Sequence, residues 1–181
     1  ERKLYSFDAD TKSYVHQRAM EFEREQYEQT GIFKKFLWTI VETNQQDREI
    51  ARVERVTDGD TFVASQGDKE FDVRLLLVDT PESKGDYKDN PQAYSQEATQ
   101  YTTDLILGKD VKLYLDEKTT YGRRLAFVEV AGQSVQEGLL EEGLGKVRQY
   151  DTNYTDIGNQ LYNVEEDAYK SGKGVWSQPG N

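Results

Sequence analysis

The stretch Arg74-Leu75-Leu76-Leu77-Val78-Asp79-Thr80-Pro81-Glu82 decides how this chain is read. It grows out of an apolar run (Phe71, Val73, Leu75, Leu76, Leu77, Val78) of the kind that fills a buried strand. It then stops on Asp, Thr and Pro, residues that favour turns, so a buried strand delivers polar groups at its tip. Upstream lie two more strand-like runs, Ile50 to Val56 and Thr61 to Val63, separated by turns at Asp58-Gly59 and Gly67-Asp68. Asp-Gly and Gly-Asp pairs between such runs are strong hairpin signals, and Asp58-Gly59 is what a type I′ turn favours. Downstream, a loop over 83–91 precedes a helix-like segment, Ala93 to Leu107, with Gly108 placed as a stop. Strands follow at Val111–Leu115 and Leu125–Val130, then a short helix at Gln133–Glu142 and an amphipathic helix at Asp156–Lys170. The order βββ-α-ββ-α-α predicts a five-stranded barrel of the oligonucleotide-binding type with three helices.

Composition bounds the chemistry. The chain has 181 residues, 35% of them apolar and 31% charged, which fits one domain with an extension. Zero Cys excludes disulfides, thiolate metal sites and a Cys nucleophile. A single His, His16, disfavours a Ser-His-Asp triad and a His-rich zinc site. No apolar run reaches the roughly 18 residues of a membrane span. The net charge is −11. Residues 1–48 hold nine acids and eight bases, so nearly all of that charge falls on the remainder. An acidic balance argues at first against a polyanion partner.

Residues 1–47 are expected to form a mostly helical extension. Tyr14, Val15, Met20, Phe22 and Tyr27 recur within 13–29, and Gly31 sits just past the end. No catalytic motif is visible there, and the segment reads as structural or as a surface for a protein partner or self-association. The chain opens at Glu1, as a processed or shortened chain would.

Three islands carry candidate chemistry: Asp58-Gly59-Asp60-Thr61, the block from Arg74 to Glu82, and Tyr121-Gly122-Arg123. Each alone reads as a turn, a cap or a hairpin tip. Together they hold what phosphodiester cleavage needs. Asp60 and Asp79 are hard oxygen ligands suited to Ca²⁺. Glu82 can act as general base toward a water. Arg74 and Arg123 can hold a phosphate through charge-assisted, bidentate hydrogen bonds.

In this order and spacing the three islands resemble the staphylococcal nuclease (thermonuclease) family, over about residues 48–178. Gln96-Glu97-Ala98, Gly143-Leu144-Gly145-Lys146-Val147 and Gly174-Val175-Trp176-Ser177 extend the resemblance. It implies Ca²⁺-dependent hydrolysis of DNA and RNA with little sequence preference, leaving 3′-phosphate ends. It implies that Asp60 and Asp79 bind the metal through carboxylates and Thr80 through its backbone carbonyl. Glu82 would activate the attacking water, Arg74 and Arg123 would neutralise the scissile phosphate, and Tyr121 would help hold a terminal phosphate. Tyr150 is the match for a pocket tyrosine. A secreted bacterial protein is the expected setting.

The chain also departs from the family. The loop after Glu82 sets Lys84 and Lys88 against Asp86 and Asp89 and is neutral, where the family's is rich in Lys. Thr120 stands before Tyr121, where Lys is typical. Weak polyanion affinity is therefore expected. The competing readings are a nuclease-like module that binds nucleic acid or protein without cutting, and an acidic scaffold acting through its N-terminal segment.

Overall fold

The computed structural model describes residues 48–148 and 154–177. The expected N-terminal extension, 1–47, lies outside the described residues, as does Tyr150. Five long strands build the barrel: β1 (Arg48–Asp58), β2 (Thr61–Gln66), β3 (Lys69–Leu75), β5 (Asp110–Thr120) and β6 (Arg123–Val130). Two short strands, β4 (Val78–Asp79) and β8 (Lys146–Val147), pair with each other, and β7 (Gln133–Ser134) pairs with β6. The helices are α1 (Ser95–Ile106), α2 (Val135–Glu141) and α3 (Thr155–Lys170).

Closure comes from one parallel contact. The strands run β3-β2-β1-β5-β6 through antiparallel pairs, and β6 then pairs in parallel with β3, Arg74 opposite Leu125. Strand β1 serves two neighbours, pairing Arg48–Arg52 with β5 and Arg52–Asp58 with β2. Its register shifts near Glu54 and Thr57 bend it from one to the other, as barrel closure requires. Val53, Phe62, Ala64, Val73, Leu113 and Ala126 alternate inward and fill the interior. Burying a side chain such as Phe62 contributes about 1.5–3 kcal/mol. Gln136, fully buried on α2, accepts from the Val128 amide at 3.2 Å and donates to the Ala126 carbonyl at 2.9 Å. It thereby satisfies backbone groups of β6 beside the point where β3 ends.

Three expectations are corrected. The apolar run from Phe71 to Val78 is not one strand. It breaks after Leu75, where Leu77 adopts φ 61°, and Val78–Asp79 restarts as β4 against β8. The Leu76 amide still bonds the Ala126 carbonyl at 2.9 Å, so the left-handed residue turns the chain off the barrel wall just beyond it. Gln133–Ser134 is strand, and Ser134 caps α2 by accepting from the Glu137 amide at 3.2 Å. The turn between β1 and β2 is not type I′, because neither Gly59 nor Asp60 has positive φ. The type I′ signature, two successive positive φ values, lies at Tyr121-Gly122 between β5 and β6 and again at Ala131-Gly132 between β6 and β7.

Candidate active site

Strand pairing alone brings two of the three islands together. Thr61 pairs with Arg74 across β2 and β3, and the Leu75 amide donates to the Asp60 carbonyl at 2.8 Å. Asp60 is 1% exposed. One of its oxygens accepts from the Thr61 hydroxyl at 3.0 Å and the other from the Thr80 amide at 2.9 Å. Arg74 forms ion pairs with Asp60 and with Asp79, the latter at 2.5 Å. Asp60, Asp79 and Glu82 each present an oxygen within 4.8 Å of the others.

The β1–β2 turn must pass close to α1 and to Thr80 for this to happen. A Cβ on Gly59 would lie 2.7 Å from the Thr80 hydroxyl and 2.9 Å from the Ala98 Cβ. The glycine is there for close approach. The Thr102 hydroxyl donates to the Gly59 carbonyl at 2.6 Å, tying the turn to α1. Glu82 is held by a reciprocal clasp with Gln92: the Glu82 amide donates to the Gln92 side chain at 2.8 Å, and the Gln92 amide donates back to the Glu82 carbonyl at 2.9 Å.

Negative charge is crowded here. Burial pushes the Glu82 carboxyl above its usual range, and the neighbouring Asp58 and Asp79 push it further, against the opposing Arg74. Four carboxylates, Asp58, Asp60, Asp79 and Glu82, face two guanidinium groups, Arg74 and the more distant Arg148, 3.5 Å from Asp79. That excess, on hard oxygen donors, fits a divalent cation of the calcium or magnesium kind. The Thr80 hydroxyl is buried beside the cluster without a hydrogen-bond partner, an oxygen that a bound cation or its water would satisfy.

The third island stands on the adjoining strand. Arg123 and Tyr121 line the same cavity as Arg74, of about 560 Å³. Tyr121 is 96% exposed, with its ring 5.8 Å from the Arg123 guanidinium. Holding a tyrosine at φ 49° costs free energy that an Asn or Gly would not, and the result is an aromatic face projected from the hairpin tip.

The model of the family described as staphylococcal nuclease homologue matches residues 72–178. The chain belongs to the staphylococcal nuclease family. It is similar to endonuclease YncB of Bacillus subtilis, 37% identical over 146 residues, which are 76% of this chain and 66% of that protein. It is similar to the thermonuclease of Staphylococcus hyicus, 35% identical over 130 residues, 70% of this chain and 75% of that one. It is also similar to the SPbeta prophage-derived endonuclease YokF of Bacillus subtilis, at 35% over 133 residues, 71% of this chain but 44% of that protein.

Within this family fold, Asp60, Arg74, Asp79, Thr80 and Glu82 converge, and Arg123 and Tyr121 border the cavity that Arg74 opens. Two residues that shape the site escaped the sequence reading. Asp58, read as a turn residue, is buried with its carboxylate toward Glu82, and accepts from the Gly59 amide at 3.0 Å and the Thr99 hydroxyl at 3.3 Å. Its one signal was its position two residues before Asp60. Gln92 lies in a polar loop and carried no signal. The exposed loop lysine Lys84 donates to the Thr57 carbonyl.

Proposed function

We infer that the chain is a calcium-dependent phosphodiesterase that hydrolyses DNA and RNA with little sequence preference and leaves 3′-phosphate ends. The observation that carries this reading is the convergence of Asp60, Asp79 and Glu82 within 4.8 Å, with Arg74 bonded into the same cluster. The names of the relatives, endonuclease and thermonuclease, point the same way.

Asp60, Asp79 and the Thr80 carbonyl are the groups that would hold calcium. Calcium supplies Lewis acidity and a template for the phosphate oxygens. Glu82 would take the proton of the attacking water as the water oxygen bonds to phosphorus and the P–O5′ bond breaks, the departing 5′ oxygen gaining a proton from solvent. Its clasp by Gln92 fixes the backbone from which the carboxylate projects, and its raised proton affinity makes it a better base than a solvated carboxylate. Arg74 and Arg123, on neighbouring strands, offer planar donors to the phosphate. They act most where charge accumulates in the transition state. Tyr121 adds an aromatic face and a hydroxyl at the edge of that cavity. Outside the cell, where calcium-binding modules work at dissociation constants of about 10⁻⁴–10⁻³ M, a small carboxylate site of this kind is sufficient.

Digestion of DNA with Ca²⁺, and then with excess chelator, tests the reading. Cutting that needs Ca²⁺ and stops in chelator supports it. An undiminished rate in chelator overturns the calcium mechanism. Absence of cutting together with a mobility shift would make the chain a binding module.

A further inference from the structure

Two cavities meet at the acidic cluster: Arg74, Tyr121 and Arg123 line the first, and Asp79, Thr80 and Glu82 open into the second, whose far wall the mechanism above does not use. The second, of about 450 Å³, is lined by Asp79, Glu82, Tyr87, Tyr94, Lys146 and Arg148. Arg74 lines the first cavity and Asp79 the second, so their ion pair forms the partition between them.

Arg148 is placed at this cavity by backbone pairing. Its amide donates to the Leu77 carbonyl at 2.7 Å, continuing the pairing of Val147 with Val78. The Val147 amide donates to Glu165 on α3 at 2.8 Å, which pins the strand from the other side. Strand alternation turns Val147 inward and sends Lys146 and Arg148 together to the cavity face. The Lys146 ammonium is held over the Trp176 ring at 4.6 Å. Arg148 is more loosely engaged: its Nε lies 3.5 Å from Asp79, and its side chain is 54% exposed. An ion pair that long and that solvated contributes little to stability. Arg148 also helps keep the Glu165 carboxylate charged, but neither interaction is a short hydrogen bond that would fix the guanidinium in place. In a domain with a large excess of acids, a cation directed into a cleft beside the acidic cluster points to an anionic ligand.

The aromatic residues agree. Tyr87 is 41% exposed at the cavity edge, and Tyr94 is held there by its hydroxyl contact with Ser177 at 2.7 Å. Phenol faces of this kind accept a nucleobase whatever its identity. We propose that the second cavity is a binding subsite for the polynucleotide strand on the far side of the scissile phosphate, with Arg148 gripping the neighbouring phosphate and Tyr87 and Tyr94 offering faces to its base. This rests on the phosphodiesterase reading above. It makes the site prefer chains that continue on both sides of the cleaved bond. A small diester has no second phosphate and gains nothing from Arg148.

The test uses the full chain in Ca²⁺. Binding of a labelled single-stranded oligonucleotide is measured by anisotropy across a salt series, in the Glu82→Gln background to prevent cutting. Arg148→Ala should weaken binding about tenfold, the size expected for losing a charge-assisted hydrogen bond. It should also reduce the slope of log affinity against log salt by about 0.7, the loss of one phosphate contact on a single strand. Arg148→Lys should keep the slope and lose only part of the affinity. In the active protein, Arg148→Ala should slow hydrolysis of a single-stranded oligonucleotide about tenfold more than hydrolysis of bis(4-nitrophenyl) phosphate. An unchanged oligonucleotide affinity and slope overturn the subsite. So does an equal loss on both substrates, because Arg148 would then be acting through Asp79. If the otherwise unmodified chain cuts neither substrate while the slope still falls, the phosphodiesterase reading fails and the subsite stands.

Discussion

Glu82 sits under opposing fields. Burial, Asp58 and Asp79 favour its proton, and Arg74 favours its charge. A general base gains from such a balance, because a carboxylate that is too stable as an anion is a poor proton acceptor. The acids and arginines around it were legible only together, because each island alone reads as a turn, a cap or a hairpin tip while the three in this order and spacing resemble a nuclease family. Asp58 and Gln92 were not, because their contacts to Glu82 come from residues 24 positions earlier and 10 later, which one-dimensional spacing does not reveal. Away from the site, Glu137 in the first turn of α2 is pushed up to about 7, chiefly by burial and then by Glu141. The sign follows from linkage. In the unfolded chain this carboxyl ionises near its ordinary value of 4.5, so between there and about 7 the folded state binds a proton that the unfolded state does not. This group's contribution to stability is therefore fullest below 4.5 and lost as pH rises through 7. Glu137→Gln should stabilise the protein by about 1 kcal/mol at pH 8 and change little near pH 4, a figure reduced for the carboxylate's contact with water. Paired urea titrations at the two pH values measure it, and an equal effect at both would refute the assignment.

The elements were legible where periodicity and turn residues agreed. Each of the five barrel strands and three helices overlaps a stretch marked by apolar pattern and turn residues, but the ends differ: β3 stops at Leu75, β5 runs on to Thr120, and α2 starts at Val135. The short strands β4, β7 and β8 carried no signal. Turn type was less legible. Asp58-Gly59 has the residues of a type I′ turn, yet Gly59 is used for contact with Thr80 and Ala98. The positive φ values fall instead at Tyr121-Gly122, against tyrosine's preference, and at Ala131-Gly132. The break at Leu76-Leu77 was hidden inside an unbroken apolar run, where no residue type marks a turn. Gly59→Ala tests the close approach. Forcing a methyl into that gap should cost about 1–3 kcal/mol in urea unfolding, with the β1–β2 turn displaced from α1. A variant as stable as the parent would show that the turn has room the geometry denies.

For the whole molecule, the excess of acids no longer argues against a polyanion substrate. Part of it is the cluster itself, and the remainder limits how strongly nucleic acid is drawn in from a distance. The loop that carries Lys84 is neutral overall, with Lys84 and Lys88 set against Asp86 and Asp89, so binding falls mainly to a few short-range cations: Arg74, Arg123 and Arg148. Three such contacts predict a dependence of log KM on log salt of magnitude about 2–3. A magnitude of 6 or more would require a basic surface that the described residues do not provide. Among the described residues no helix is long and apolar enough to cross a membrane.

The most direct test of the central claim is the kcat of Glu82→Gln on DNA at saturating Ca²⁺, measured beside wild type. The substitution keeps the side chain's shape and the Gln92 clasp, which uses the backbone of residue 82, and removes the base. A fall of about 10²-fold or more, with KM little changed, is the predicted result. A kcat within a few-fold of wild type would contradict the account, because the water would then be activated elsewhere.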